Sequence, residues 1–393
     1  MTVLAVDMET KTSKNTDTND DRINWKYQDK EYNESFKEWR KQKQNSIGFY
    51  FVEKPNQLTY QDKVGFIHDY PEARETHAFR KVMTVLGLIL IYKVIFDIFS
   101  TYFLPVFLEL MGFDIHTAFF SGERHGNETF IIILDIITQV VGRILPIAIL
   151  VKHLQMPISV MLPMKITNKP MFRFSIPAIL LVTSVCSVMS YFYEEILSLF
   201  NISTSRSFMV PTQTENLPLF FVQLLLASIV SELCTHGVFL QFTRQFGDGT
   251  ALIATSIIYS VCTYDITMMP FSFVVTMVIG YFTIRTGSVL TAVTMRIVQR
   301  TFVYMLYFLD YIVDDSYSGT LIAMIFFISI VIGLAGTIHF FCNHSDRFGI
   351  TLKDRYMSPS SKVLTAASCI PLIVWFTMSF VMTILNLNLN FKV

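Results

Sequence analysis

Residues 217–242 read LPLFFVQLLLASIVSELCTHGVFLQF. The run is long and apolar enough for a helix that crosses a bilayer, which takes roughly 20 residues. Ser231, Glu232 and His236 interrupt it at a depth where lipid disfavours polar groups. An ionisable side chain inside a membrane is costly and normally faces the protein interior. The stretch therefore predicts a membrane helix that carries a functional site.

A second apolar run, Val289–Leu309, is interrupted by Arg296 and Arg300. Residues four apart share one face of a helix, so Glu232 and His236 form one pair and the two arginines another. Buried charges are costly unless they are paired. We therefore predict that the arginines reach Glu232 across the two helices, with a carboxylate oxygen within about 4 Å of an arginine nitrogen.

The composition of the whole chain is that of a membrane protein. Its 393 residues are 52% hydrophobic and 16% charged, too apolar for a soluble domain of this length. Two of its apolar runs, Ala251–Tyr264 and Phe271–Ile284, are short for full crossings. We predict an all-α polytopic helical bundle of about nine transmembrane helices with a polar N-terminal region. The runs are Val82–Leu108, Thr129–Val151, Phe174–Tyr193, Leu217–Phe242, Ala251–Tyr264, Phe271–Ile284, Val289–Leu309, Thr320–Phe341 and Val363–Leu385.

The runs divide the chain into four predicted parts. These are a cytoplasmic tail with an amphipathic helix (1–80), N-terminal membrane helices (81–216), a core (217–310) and C-terminal membrane helices (311–393). In the first part, Tyr32, Phe36 and Trp39 are spaced for one face of a helix. Such a helix would lie on the membrane or against the bundle, or would recruit another protein.

The charges of the loops predict the orientation, because short basic loops stay in the cytoplasm. Two loops are basic and two are acidic, in alternation along the chain. We therefore predict a multi-pass protein of the cell membrane with its N-terminus in the cytoplasm and its C-terminus outside. The basic loops contain Lys152, Lys165, Lys169, Arg173, Arg347, Lys353, Arg355 and Lys362, and the acidic loops Glu109, Asp114, Glu123, Glu128, Asp310, Asp314 and Asp315.

The net charge of +0 gives no global field that would attract nucleic acid. The predicted partner is the lipid bilayer, with a membrane-embedded peptide or a lipid anion as the candidate ligand. The five cysteines have no paired spacing and predict neither a disulfide framework nor a metal site, and no cofactor is predicted. The first apolar run begins only near Val82, so no secretory signal is expected. The oligomeric state stays open.

Several kinds of intramembrane catalytic site are excluded by the motifs. The chain contains no His-Glu-x-x-His zinc motif and no Gly-x-Ser-x-Gly nucleophile turn. Tyr264-Asp265 is half of an aspartyl dyad, but no Gly-x-Gly-Asp partner follows it. The adjacent acids Glu194 and Glu195 lie at the end of the third run, where a solvated helix end is expected.

Four segments in order carry a family resemblance. The segment from Ser231 to Gly247 is similar to the Glu-Glu-x-x-x-Arg-Gly helix of the CPBP family, the CAAX proteases and bacteriocin-processing enzymes. Ser256–Thr263 aligns with the family's Phe-x-x-x-His motif, and Gly280–Leu290 resembles its glycine-tyrosine helix and Arg-Thr-Gly-Ser-Leu turn. Met295–Arg300 stands at the place of its His-x-x-x-Asn motif. The resemblance implies an intramembrane endopeptidase fold.

The family's catalytic positions are largely replaced, and Glu232 is the one that survives. In the family, glutamate and histidines are thought to activate a water molecule. A threonine hydroxyl cannot replace imidazole as a base near neutral pH, and a guanidinium cannot accept a proton. The resemblance thus implies that the protease mechanism is absent. The substituted positions are Ser231 for the first glutamate, His236 for the arginine, Thr263 and Arg296 for the histidines and Arg300 for the asparagine.

We predict a non-catalytic binding or regulatory homologue. The processes that the resemblance implies for it are prenyl-protein processing and bacteriocin maturation or immunity. One alternative is an active endopeptidase with an altered site around Glu232 and His236, acting on prenylated or bacteriocin-type peptides. Another is a small-solute transporter, although the inverted repeats and broken helices typical of that class are not seen. The substituted residues would form either a structural ion-pair cluster or an anion site for a lipid phosphate, a C-terminal carboxylate or a peptide carbonyl.

Three further sets of polar residues could bind a metal ion or conduct protons, but each has a simpler structural interpretation. Glu232 and His236 would be weak metal ligands, because the only other histidine within an apolar run is His339. Lys93 and Asp97 form an i, i+4 pair that neutralises itself. The row Asp135, Gln139 and Arg143 is expected to do the same within its own helix. A proton or ion pathway is the alternative for both rows.

Overall fold

The computed structural model describes residues 28–42, 58–61, 65–68, 71–117, 124–154, 156–200, 202–204, 211, 214–313, 315–344 and 356–389. Most of these residues are helical, which confirms the predicted all-α class. The helices are α1 (Lys30–Lys41), α2 (Pro71–Ile98), α3 (Leu104–Leu110), α4 (Glu128–Leu154), α5 (Ile158–Met161), α6 (Lys169–Leu199), α7 (Leu217–Glu232), α8 (Leu240–Thr243), α9 (Asp248–Val261), α10 (Met269–Thr286), α11 (Val289–Ile312), α12 (Asp315–His344), α13 (Pro359–Ala367) and α14 (Ile370–Leu385).

Three two-stranded antiparallel sheets lie between the helices. Strands β1 (Leu58–Gln61) and β2 (Gly65–His68) pair before α2, and β3 (Ile115–Thr117) and β4 (Arg124–Gly126) pair between α3 and α4. Strand β5 (Ile202–Thr204) follows α6 and pairs with β6 (Leu387–Leu389), which follows α14. The last sheet therefore ties the end of α14 to the end of α6.

Six of the described helical segments are long and apolar enough to cross a membrane. The bent pair α13 and α14, which meet at 72°, would make a seventh span. Each of the nine predicted runs falls on helical segments, but α9, which has only 14 residues, and α11 are not among the segments that could span a membrane, so the count of nine is not confirmed. Large apolar side chains such as Phe327 and Ile338 on α12 are exposed, as expected for a surface that faces lipid.

The helix that begins as α7 changes its winding at the predicted site. After Glu232 the chain forms a π-helix over Leu233–Phe239 before it continues as α8. Such π segments are rare and occur frequently at functional sites. A Cβ atom on Gly237, within this segment, would lie 2.5 Å from Leu162 Cδ2 and 3.3 Å from the carbonyl oxygen of Met161, so Leu162 would have to move if this residue were larger. The chain reverses at Gly247, whose φ of 113° suits glycine, and enters α9.

Helix α1 forms over the predicted amphipathic segment and packs against the bundle. Its aromatic face is buried, with Phe36 and Trp39 each 0% exposed. The Tyr32 hydroxyl donates to Gln241 Oε1 at 2.6 Å, and Arg244 Nη1 donates to the same hydroxyl at 3.2 Å. Burial raises the pKa of Tyr32, so this hydroxyl keeps its proton. Of the positions weighed for this helix, packing on its own bundle is the one observed.

The two ends of the described chain lie at opposite ends of α6. The Asp29 carboxylate, which caps α1, accepts a hydrogen bond from Lys165 Nζ at 2.8 Å, just before α6 begins. This hydrogen bond lowers the pKa of Asp29 and raises that of Lys165. Strand β6, in contrast, pairs with β5 just after α6 ends. The proposed domain boundaries and orientation stay predictions, and residues 1–27 and the loop that contains Arg347, Lys353 and Arg355 lie outside the described residues.

Candidate functional site

The Glu232 side chain, which is 0% exposed, is held by an arginine and a histidine. Arg296 Nε donates to its Oε1 at 2.5 Å, and His236 Nδ1 forms a hydrogen bond with its Oε2. The predicted ion pair between α7 and α11 is therefore confirmed for Arg296. His236 Nε2 lies 3.2 Å from the carbonyl oxygen of Thr276, which can only accept. Both ring nitrogens therefore face groups that can accept a hydrogen bond, at the position where the family has arginine.

The Arg296 side chain is 3% exposed and contacts several groups. Besides Glu232, its guanidinium donates to Thr276 Oγ1 at 3.1 Å and to Gln299 Oε1 at 3.4 Å. The guanidinium carbon lies 4.4 Å from the centre of the Tyr259 ring, within the range of a cation–π contact. The side chain that replaces the family's third-motif histidine is therefore part of a closed ion-pair cluster.

Arg300 does not reach Glu232, and the prediction that both arginines would do so is wrong for this residue. Its Nη1 instead donates to Ser228 Oγ at 3.4 Å. The reason is the packing of α7 against α11. Arg300 lies one turn after Arg296, and Ser228 lies one turn before Glu232, so successive turns of the two antiparallel helices face each other. The spacing within each helix could not predict this register.

The hydroxyls at the other two substituted positions bond to their own helices. Ser231 Oγ donates to the carbonyl oxygen of Ser228 at 3.0 Å, and Thr263 Oγ1 to that of Ser260 at 2.7 Å. The structure nevertheless brings Ser231 and Thr263 to one cavity together with Arg296 and Arg300. The four positions that replace a glutamate, two histidines and an asparagine therefore still face a common space.

This cavity has a volume of about 1440 Å³ and extends among α2, α4, α6, α7, α9, α10 and α11. Glu232 and His236 are not among the residues that line it. Toward the start of α4 and the end of α6 it is lined by Arg124, Glu128 and Glu194, so it reaches one end of the bundle. Its other polar lining residues include Lys93, Asp97, Asp135, Gln139, Arg143, Gln223, Tyr259, Asp265, Gln299, Tyr304 and Tyr307.

Most charges of the cavity wall are paired. Lys93 Nζ donates to Asp97 Oδ2 at 2.5 Å, as predicted, and the Tyr264 hydroxyl donates to the same oxygen at 2.9 Å. Asp135 pairs with Arg124 of β4, so its row does not neutralise itself within α4 as expected. The sequence could not show this contact, because the β3–β4 sheet brings Arg124 back over the helix.

Arg143 was expected to be neutralised within its own helix, and the structure does not show this. Its Nη1 donates to the backbone oxygen and to the side-chain oxygen of Gln139, each at 3.4 Å. Among the described residues, neither Arg143 nor Arg300 has a carboxylate oxygen within 4.0 Å. Both side chains are half-buried and line the cavity. The sequence did contain one sign that Arg143 lacks a carboxylate partner. This residue lies on an apolar helix with no acidic residue one turn after it.

The described part of the chain contains no group of three or more His, Cys, Asp and Glu side chains that could hold a metal ion. His339, the third residue of the weak metal hypothesis, lies on α12 and has Asn343 as its hydrogen-bond partner at 3.3 Å. The structure thus does not bring His339 together with Glu232 and His236. That no cofactor is needed stays a prediction.

Comparison with known proteins supports the resemblance carried by the motifs. A family model described as type II CAAX prenyl endopeptidase Rce1-like matches residues 213–302. The matched segment runs from just before α7 into α11 and contains all six motif positions. The match confirms the resemblance to the CPBP family in this segment. Comparison with curated proteins and with solved structures gave no match.

Proposed function

We propose that this CAAX protease-related membrane protein is a non-catalytic homologue that binds a membrane-embedded ligand in its cavity. The observation that supports the proposal is the state of Glu232, whose two oxygens are both engaged, one by Arg296 and the other by His236. A general base must lie within hydrogen-bond reach of the water that it activates and must be able to accept its proton. Glu232 does not line the cavity, and Arg296 at a histidine position cannot accept a proton.

The size and lining of the cavity favour binding. Pockets for small molecules usually measure roughly 300–1,000 Å³, so a volume of about 1440 Å³ leaves room for a larger amphiphile. Apolar side chains such as Leu224, Val303 and Phe326 line it beside the polar groups. A ligand with an apolar chain and a polar head fits this mixed wall. In the predicted orientation, the end lined by Glu128 and Glu194 faces the outside of the cell.

A peptidase assay tests the absence of catalysis. The full-length protein is reconstituted into liposomes and incubated with a quenched fluorogenic peptide that ends in a prenylated CAAX sequence. We expect no cleavage above that of empty liposomes. Glu232→Gln, purified in the same way, serves as the control for contaminating enzymes. Cleavage by the wild-type protein that Glu232→Gln abolishes, with the variant still folded, would overturn the proposal in favour of an active endopeptidase.

A further inference from the structure

Two cations in the cavity wall have no anionic partner among the described residues. Arg143 projects from α4 and Arg300 from α11, and their only side-chain partners are Gln139 and Ser228, at 3.4 Å. Both residues line the same cavity as Tyr259. The cavity wall therefore carries two guanidiniums that have no carboxylate oxygen within 4.0 Å among the described residues.

Most other charges of the cavity wall already have partners. Lys93 with Asp97, Arg124 with Asp135, and Arg296 with Glu232 already form three pairs. The remaining acids of the wall, Glu128, Glu194 and Asp265, lie at or near the ends of helices, and two of them have other contacts. Glu128 accepts from Asn216 Nδ2 at 2.7 Å, and Asp265 accepts from the Thr267 backbone and hydroxyl at 2.9 and 2.7 Å.

Uncompensated cations inside a membrane protein are costly, and they typically mark the path or the site of a ligand. Resting on the proposed function, we propose that Arg143 and Arg300 bind the phosphate monoester of an amphiphile, whose apolar chain occupies the rest of the cavity. A phosphate monoester carries a charge of about −1.5 to −2 near neutral pH, which matches two guanidiniums. A carboxylate would leave one cation uncompensated.

The geometry of the donors also favours a phosphate. Guanidiniums offer paired N–H donors that suit phosphate oxygens. Here the two forks come from different helices, with the Tyr259 hydroxyl and the Gln139 amide also in the cavity wall. A tetrahedral group presents oxygens in several directions and can meet all of these donors. A planar carboxylate presents its two oxygens in one plane.

A binding experiment on the full-length protein in detergent micelles tests the assignment. Isothermal titration calorimetry compares dioctanoyl phosphatidic acid with dioctanoyl phosphatidylcholine, dioctanoylglycerol and inorganic phosphate. We expect the phosphatidic acid to bind at least about tenfold more tightly than each of the other three. Arg143→Gln and Arg300→Gln should each weaken it about tenfold or more, and the double variant should not bind. Arg173→Gln, which removes an exposed arginine at the start of α6, should bind as the wild-type protein does.

Both the comparison of ligands and the comparison of variants can contradict the assignment of Arg143 and Arg300 to a phosphate. Equal affinity for phosphatidic acid and phosphatidylcholine, or unchanged affinity in the Arg143→Gln and Arg300→Gln variants, would overturn it. Equal affinity for inorganic phosphate would overturn the assignment to a lipid. The unfolding temperature of each variant shows whether the variant folds. If it does not, the comparison of ligands on the wild-type protein still tests the assignment. Peptide cleavage in the liposome assay would overturn the proposed function alone. A protein that cleaves no peptide and shows no preference for phosphatidic acid would overturn this inference alone.

Discussion

Among the residues of this site, Glu232 is the one whose replacement should lower the free energy of unfolding most. Replacing it by glutamine leaves Arg296 buried without its counter-charge. Removing one partner of a buried ion pair usually lowers the free energy of unfolding by about 3–5 kcal/mol. We expect Glu232→Gln to destabilise the protein by this order, measured by denaturant unfolding in mixed micelles.

Arg300→Gln is the matched control for Glu232→Gln, since it also removes one charge from the α7–α11 interface. Arg300 has no carboxylate partner among the described residues, so its replacement leaves no opposite charge unpaired. We expect its effect on the free energy of unfolding to be below about 1 kcal/mol in either direction. Equal losses for Glu232→Gln and Arg300→Gln would contradict the assignment of structural and ligand-binding roles to these two residues.

At the residue scale, the sequence predicted that Glu232 would have an arginine partner but not which one. The prediction follows from the cost of an unpaired charge in lipid, which any helix pairing must avoid. The choice between Arg296 and Arg300 depends on the register of α11 against α7 and on the groups that Arg296 also meets, Thr276 and Tyr259. Such contacts come from helices distant in sequence, and spacing within one helix cannot reveal them.

Among the elements, α1 should be held mainly by its aromatic face. Phe36 is fully buried and stacks between Tyr32 and Trp39, with ring centroids 5.7 and 5.9 Å away. Replacing a buried phenylalanine by alanine costs about 3–5 kcal/mol. We expect Phe36→Ala to release α1, which limited proteolysis would detect as faster cleavage within residues 28–42. Glu34→Ala, which changes an exposed residue of the same helix, should leave the cleavage rate unchanged. Equal rates for Phe36→Ala and Glu34→Ala would contradict this role.

The aromatic spacing of α1 was readable from the sequence, whereas the π-helix at Leu233–Phe239 was not. A π segment differs from an α-helix by a shift in backbone hydrogen bonds, and it leaves no pattern in the order of apolar residues. Gly280 is understood only after this segment is known. A Cβ atom there would lie 3.2 Å from His236 Nε2 and 2.6 Å from Leu252 Cδ1, so the glycine makes room for the imidazole.

At the scale of the whole molecule, the charges of the cavity wall are unevenly distributed. Acidic groups, Glu128 and Glu194 among them, lie toward one end of the bundle, while Arg143 and Arg300 line the cavity without a carboxylate partner among the described residues. Composition gave no sign of this asymmetry, because 31 basic and 31 acidic residues cancel. It arises when helices that are separate in sequence face one cavity. Binding by this protein therefore depends on the assembled bundle.

The predicted orientation rests on the loop charges and on the positions of α1 and β3 relative to α4. Helix α1 is tied through Asp29 to the segment that follows α4, whereas His116 on β3 lies in the segment that precedes α4. The 27 residues of α4 separate these ends by about 40 Å. Because the basic loops should stay in the cytoplasm, we expect position 38 inside and position 116 outside.

Cysteine labelling measures this orientation. Glu38→Cys and His116→Cys, both exposed positions, are made in a protein whose exposed Cys342 is replaced by serine. A membrane-impermeant maleimide applied to intact cells should label His116→Cys at once and Glu38→Cys only after permeabilisation, which is the control for reactivity. The reverse pattern would show that the loop charges predict the wrong orientation. Labelling of both positions in intact cells would instead contradict the placement of α1 and β3 at opposite ends of α4, because one impermeant reagent cannot reach both faces of a closed membrane.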